Sequence, residues 1–132
     1  MKKHIVSHIA IYILSAVMIF FGYYHLAHPK AMMEYGYIPA SWLNAVIWVK
    51  IVGVAFILAA ISFILNKYVK IAAYLLAAML LAFAFFIHFD IYKSAGADEV
   101  KVNALINIFK DTALAAFALH IAGSADSHGM KF

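Results

Sequence analysis

The sequence predicts an all-α integral membrane protein: an antiparallel four-helix transmembrane bundle with a short interfacial segment after the first helix. Three observations carry this reading. Apolar residue types make up 67% of the 132 residues, and charged types only 12%. Soluble domains average about 45–50% and about 25%. Mean hydropathy is +0.95. The apolar residues also fall into four runs, each near the roughly 20 residues that cross a bilayer.

The first span is expected at about 6–27. The two lysines before it also fit a signal peptide. The apolar run is too long for one, however, and lacks a small-residue cleavage site, so an uncleaved helix is expected. His28-Pro29 ends it, because proline disfavours helix in the residue before it. Residues 28–41 are too short and too polar to span. Tyr35, Tyr37, Trp42 and Trp48 suit the headgroup level, where amphipathic rings settle.

Ser41 is a candidate N-cap for a second span over 42–65, with Lys50 inside it. Asn66 to Lys70 form a short connection. A third span follows over 70–92. Lys93 to Glu99 break the apolar pattern with turn residues. The fourth span covers 101–123, and a polar tail occupies 124–132. The whole chain is one domain. Short connections favour antiparallel neighbours.

Composition and charge exclude several functions. So apolar a chain is neither disordered nor a soluble enzyme. No cysteine is present, which removes disulfides, thiolate metal sites and dithiol relays. All ten basic residues are lysine, so no arginine fork is available for phosphate. The pI near 9.3 reflects lysines that flank spans and meet anionic lipid; no nucleic-acid partner is expected. Lys2, Lys3, Lys67 and Lys70 share one side, with no acid beside them. Lys30, Lys93 and Lys101 on the other side are balanced by Glu34, Asp98 and Glu99. The lysine excess places both termini in the cytoplasm, with Lys131 in the tail adding to it.

Ionisable groups inside spans are costly and generally face the bundle interior. Here they gather at one depth, below the outer surface: His25 in the first span, Lys50 in the second, His88 and Asp90 in the third. The fourth supplies Asn103, Asn107, Lys110 and Asp111, which follow i, i+4, i+7, i+8 and so share one face. Lys50 is the expected partner of Asp111 or Asp90, because a buried unpaired lysine loses its proton.

These eight residues are the candidate ligand pocket. The aromatic runs Phe20, Phe21, Tyr23, Tyr24 and Phe83, Phe85, Phe86, Phe89 are packing or lipid contacts, though a flat ring ligand also favours such walls. The competing reading is an ion-pair and amide network that only fixes helix register. His8 and His120 form a second set near the cytoplasmic side. Two histidines can ligate haem or a metal, but no third ligand accompanies them. No metal site is expected, and haem is not. His4 and His128 are expected to be solvated. No catalytic residue is assigned.

Phe20-Phe21-Gly22-Tyr23-Tyr24-His25-Leu26-Ala27-His28-Pro29, Val52-Gly53-Val54 in the second span and Asn107-Ile108-Phe109-Lys110-Asp111 follow one another in an order that resembles the DoxX-like small membrane proteins. The resemblance covers about residues 8–123. It implies a four-helix bundle of the bacterial inner membrane. It also implies quinone-linked or accessory work beside a membrane or periplasmic redox enzyme, since the founding member resembles a subunit of a thiosulfate:quinone oxidoreductase. Relatives often carry a glutamate three residues after the glycine of the second span. Here that position is Phe56.

The alternative is a non-catalytic assembly partner, its alanines permitting close helix contact. Four spans are few for a carrier unless the protein forms a homo-oligomer.

Overall fold

The computed structural model describes residues 2–39, 41–42 and 44–125. The side chains of the first four residues and the tail from 126, with His128 and Lys131, lie outside the described residues. The described residues form helices and no strand. α1 covers Lys2–Ala27, α2 Pro29–Tyr35, α3 Ala45–Leu65 and α4 Val69–Ala82. A π-helical turn, Phe83–His88, continues α4 into α5, Phe89–Ser94, and α6 covers Asp98–Gly123.

Four helical segments are long and apolar enough to cross a membrane: Ile5–Ala27, Ala45–Leu65, Val69–Ser94 and Asp98–Gly123. Only about a third or less of each is buried inside the protein. The exposed faces are apolar, with residues such as Phe20, Leu58, Leu75 and Phe109 pointing outward. Water does not tolerate apolar surface on that scale. A bilayer does, and this marks a membrane protein.

Several boundaries differ from the sequence expectation, and α1 begins at Lys2 rather than about 6. α3 begins at Ala45 rather than 42, because Asn44 before it has a left-handed backbone, φ 57°. Ser41 therefore lies too far upstream to cap the helix. α6 begins at Asp98, with Asp98 and Glu99 in its first turn, where carboxylates meet the positive end of the helix dipole.

α3 ends in a Schellman motif. Lys67 N–H donates to Ser62 O at 3.0 Å and Asn66 N–H to Phe63 O at 3.3 Å, with Asn66 left-handed. Ser62 Oγ also donates to Lys67 O. Tyr68 is left-handed too, φ 57°, and α4 begins at the next residue, Val69.

The bundle is built from two intimate pairs, α1 with α3 and α4 with α6, joined through α3 and α4. Both helices of the second pair bury small residues, Ala73 and Ala77 on α4 and Ala104, Ala115 and Ala118 on α6. Small side chains let helices approach closely in lipid, where no hydrophobic force drives them together. α1 and α3 go further and touch backbone to backbone. A Cβ on Gly22 would lie 2.7 Å from Gly53 O, and one on Gly53 would lie 2.8 Å from Gly22 O. Around this crossing Phe21 and Phe56 pack at 6.2 Å between ring centres. Ile11, Leu14, Met18, Phe56, Phe63, Leu76, Leu80 and Ile121 complete the core. Buried Ser15 is satisfied within its own helix, donating to Ile11 O at 2.8 Å.

α1 and α6 do not meet in this way. No Cα of α1 lies within 8 Å of one in α6. A seam therefore runs between them, crossed by side chains only.

Gly53→Ala is expected to cost about 1–3 kcal/mol, the usual penalty of forcing atoms into a packed contact. A lowered unfolding midpoint in detergent is the readout. Gly96→Ala, where an added Cβ meets nothing within 4 Å, is expected to leave the midpoint in place.

Candidate functional site

The polar residues of α6 form a ladder along one face. Asn107 Nδ2 donates to Asn103 Oδ1 at 3.0 Å. Lys110 Nζ donates to Asn107 Oδ1 at 3.2 Å and stands 4.0 Å from Asp111 Oδ1. The spacing read from the sequence produces these contacts because residues three and four apart are helix neighbours. Asn107 and Asp111 are buried. Lys110 is 44% exposed at its side chain, and its ammonium sits 5.7 Å from the centre of the Phe21 ring of α1. This is cation–π range, and it bridges the seam.

The second arm comes from the π-helical turn. His88, its last residue, places Nε2 3.3 Å from Asp111 Oδ2, with side chains 12% and 7% exposed. π-helical turns are rare and often sit at functional sites. Among the described residues, His88 Nδ1 is the buried side-chain nitrogen or oxygen with no hydrogen-bond partner. The tautomer with the proton on Nε2 suits Asp111, which accepts. Nδ1 then carries an unused lone pair.

His25 approaches from α1. It is half-buried, its Nδ1 lies 2.5 Å from Phe21 O, and its ring packs edge-on against Phe56 at 5.5 Å. A carbonyl accepts, so Nδ1 holds the proton and Nε2 is the acceptor. Lys110 and Asp111 are near enough for their charges to act on His25.

The structure thus brings together His25, His88, Asn103, Asn107, Lys110 and Asp111. It does not bring in Lys50 or Asp90. Lys50 is exposed on α3, and Asp111 takes His88 and Lys110 as partners instead. The buried stripe of α3 runs Val49, Gly53, Phe56, Ala60, Phe63. Lys50 stands one residue, about 100°, off that stripe. Asp90 is likewise exposed, with its backbone carbonyl taken by Ser94 Oγ at 3.0 Å. Convergence at one depth comes from three spans, not four.

The expected His8–His120 set does not form. His120 is exposed, and His8 packs near Tyr12 on its own helix. Among the described residues no three His, Asp or Glu side chains are placed to hold a metal ion.

Phe56 is buried against Phe21 and His25. A ring there means that position 56 of α3 offers His25 an aromatic edge and not a carboxylate. Two cavities lie elsewhere. One of about 480 Å³ lies between α3 and α4, and a core void of about 10 Å³ lies beside Phe21 and Phe56. No residue of the polar cluster lines either.

The role of the crossing glycines beside His25 is not legible in the sequence. Each appears within a quoted motif, but only the structure shows Gly53 meeting the Cβ of His25. The chain matches no protein-family model, no curated protein and no solved structure.

A double-mutant cycle tests the pairing. Asp111→Ala and His88→Ala are each expected to destabilise the protein by about 1–3 kcal/mol, since each leaves a buried polar partner behind. They should couple by about 0.5–3 kcal/mol. Lys50→Met should change stability by less than about 0.5 kcal/mol, with no coupling to Asp111. Thermal unfolding in detergent measures all of these.

Proposed function

We propose that the seam between α1 and α6 binds a lipophilic molecule with a polar ring, of the quinone class, and that the protein is a redox-associated accessory of the bacterial inner membrane. The observation that carries this reading is the buried, unpartnered Nδ1 of His88. A buried polar atom without a partner is destabilising, more so in a medium without water. A ligand hydroxyl relieves it. His88 Nδ1 and His25 Nε2 both act as acceptors, so the reduced ring, which carries O–H donors, fits better than the oxidised one. Phe21 supplies an apolar wall. Asp111 holds His88 in the required tautomer, and Lys110 fixes the carboxylate from its other side. The ligand enters sideways from the lipid, because α1 and α6 stand apart.

The proposal includes the finer architecture. The pairs Gly22–Gly53, Phe21–Phe56 and Gly22–Ile57 support an antiparallel arrangement of α1 and α3. α2, with Met33 buried and Tyr35 exposed, is read as lying along the outer interface beneath the headgroups. The lysine balance supports cytoplasmic termini. Likeness to the DoxX-like proteins supports the redox setting and a membrane or periplasmic enzyme partner.

One observation favours a second reading, an assembly partner without a ligand. The α6 ladder is largely satisfied from within, and neither cavity adjoins it. A structural network that locks α6 to the π-helical turn has this form.

The protein purified in mild detergent separates the readings. Mass spectrometry of an organic extract, with absorption spectra of the oxidised and reduced sample, is expected to show a quinone-class molecule near one per chain. His88→Phe should lower that amount about tenfold or more. A colourless protein that carries only bulk lipid and retains a stoichiometric protein partner would overturn the ligand reading in favour of assembly.

A further inference from the structure

The cavity of about 480 Å³ between α3 and α4 lies away from the seam and has a distinct character. Its lining includes Ala55, Ala59 and Ala72 with Leu58, Leu75 and Met79, and it reaches the turn at Ser62, Lys67 and Tyr68. Its volume falls within the range of small-molecule sites. The alanines leave space where larger side chains would close the two helices together. An apolar trough open to the bilayer, with a lysine and a tyrosine at one end, matches the shape and polarity of a phospholipid.

Charge decides which phospholipid. Between Glu34 and Asp90 the sequence has three lysines, Lys50, Lys67 and Lys70, and no acid. Neither α3 nor α4 therefore offers a carboxylate to the cation at the mouth of the groove. Lys67 is exposed. Tyr68, exposed in its left-handed conformation, lines the same mouth. Tyrosine and lysine are the side chains that settle at headgroup level, with the lysine stem running along apolar surface.

We infer that this groove holds one anionic phospholipid, an acyl chain lying in the trough and the phosphate at Lys67. The inference is independent of the ligand proposed for the α1–α6 seam.

Native mass spectrometry of the full chain tests it. The protein is offered phosphatidylglycerol and phosphatidylcholine with matched acyl chains in equal amounts. One phosphatidylglycerol should be retained per chain, with a preference of about fivefold, the factor one lysine contributes near an anionic surface. Lys67→Gln alters an exposed side chain and should bring the ratio close to one. Lys67→Arg should preserve it. Ala72→Leu fills the trough and should reduce retention of both lipids. The inference fails if the two lipids are held equally, or if Lys67→Gln leaves the preference intact. It also fails if inorganic phosphate alone displaces the lipid, which marks a bare anion site. A dimer that excludes lipid from the groove would likewise overturn it. Should Ala72→Leu not fold, the Lys67 pair of variants still decides the matter.

Discussion

Asp111 lies on an apolar helix with its carboxylate 7% exposed, and lipid offers it nothing. In such a medium each polar group must find its partner inside the bundle, and most of the functional architecture follows from that requirement. The carboxylate meets His88 on one side and Lys110 on the other. Lys110 in turn reaches Asn107, and Asn107 reaches Asn103. Removing a single member of such a chain strands another. The network therefore sets the register of α6 against the π-helical turn while it shapes a polar region at one depth. A helix with an ordinary α-helical turn at Phe83–His88 would present His88 differently, so the rare turn and the buried acid belong to one device.

A second constraint acts on the other helix pair. Gly22 and Gly53 let the backbones of α1 and α3 touch, and that contact seats His25 above Phe56. The pair α4 and α6 buries alanines on both helices. With each pair tight within itself, α1 and α6 are left apart. Side chains bridge the gap, among them the Lys110 ammonium over the Phe21 ring and Leu114, which shares a small void with Phe21.

Much of this was legible in the sequence and some was not, for reasons tied to particular residues. Four apolar runs of membrane length name themselves. The spacing Asn103, Asn107, Lys110, Asp111 put four polar groups on one helix face, and they do interact there. That Asp111 needs a partner is legible, but the partners are His88 and Lys110 rather than Lys50. Depth along the membrane is readable from position in a span, whereas azimuth depends on which face a helix buries. A helix as uniformly apolar as α3 hides that face, and only the stripe from Val49 to Phe63 shows Lys50 to lie beside it. The contact of His88 with Asp111 is not legible, because no sequence signal announces a π-helical turn among Phe83, Phe85 and Phe86. The glycine crossing was hidden for a related reason: glycine in a helix has many uses, and backbone contact appears only when two of them meet across a pair.

The central claim is that Asp111 fixes His88 in the tautomer that leaves its buried Nδ1 without a proton. Nitrogen NMR of histidine-labelled protein in bilayers tests it most directly, since protonated and bare ring nitrogens resonate far apart. The account predicts a proton on Nε2 of His88 and an unprotonated Nδ1, with that preference lost in Asp111→Leu. A proton on Nδ1, or His88 resonances indifferent to Asp111, would contradict it.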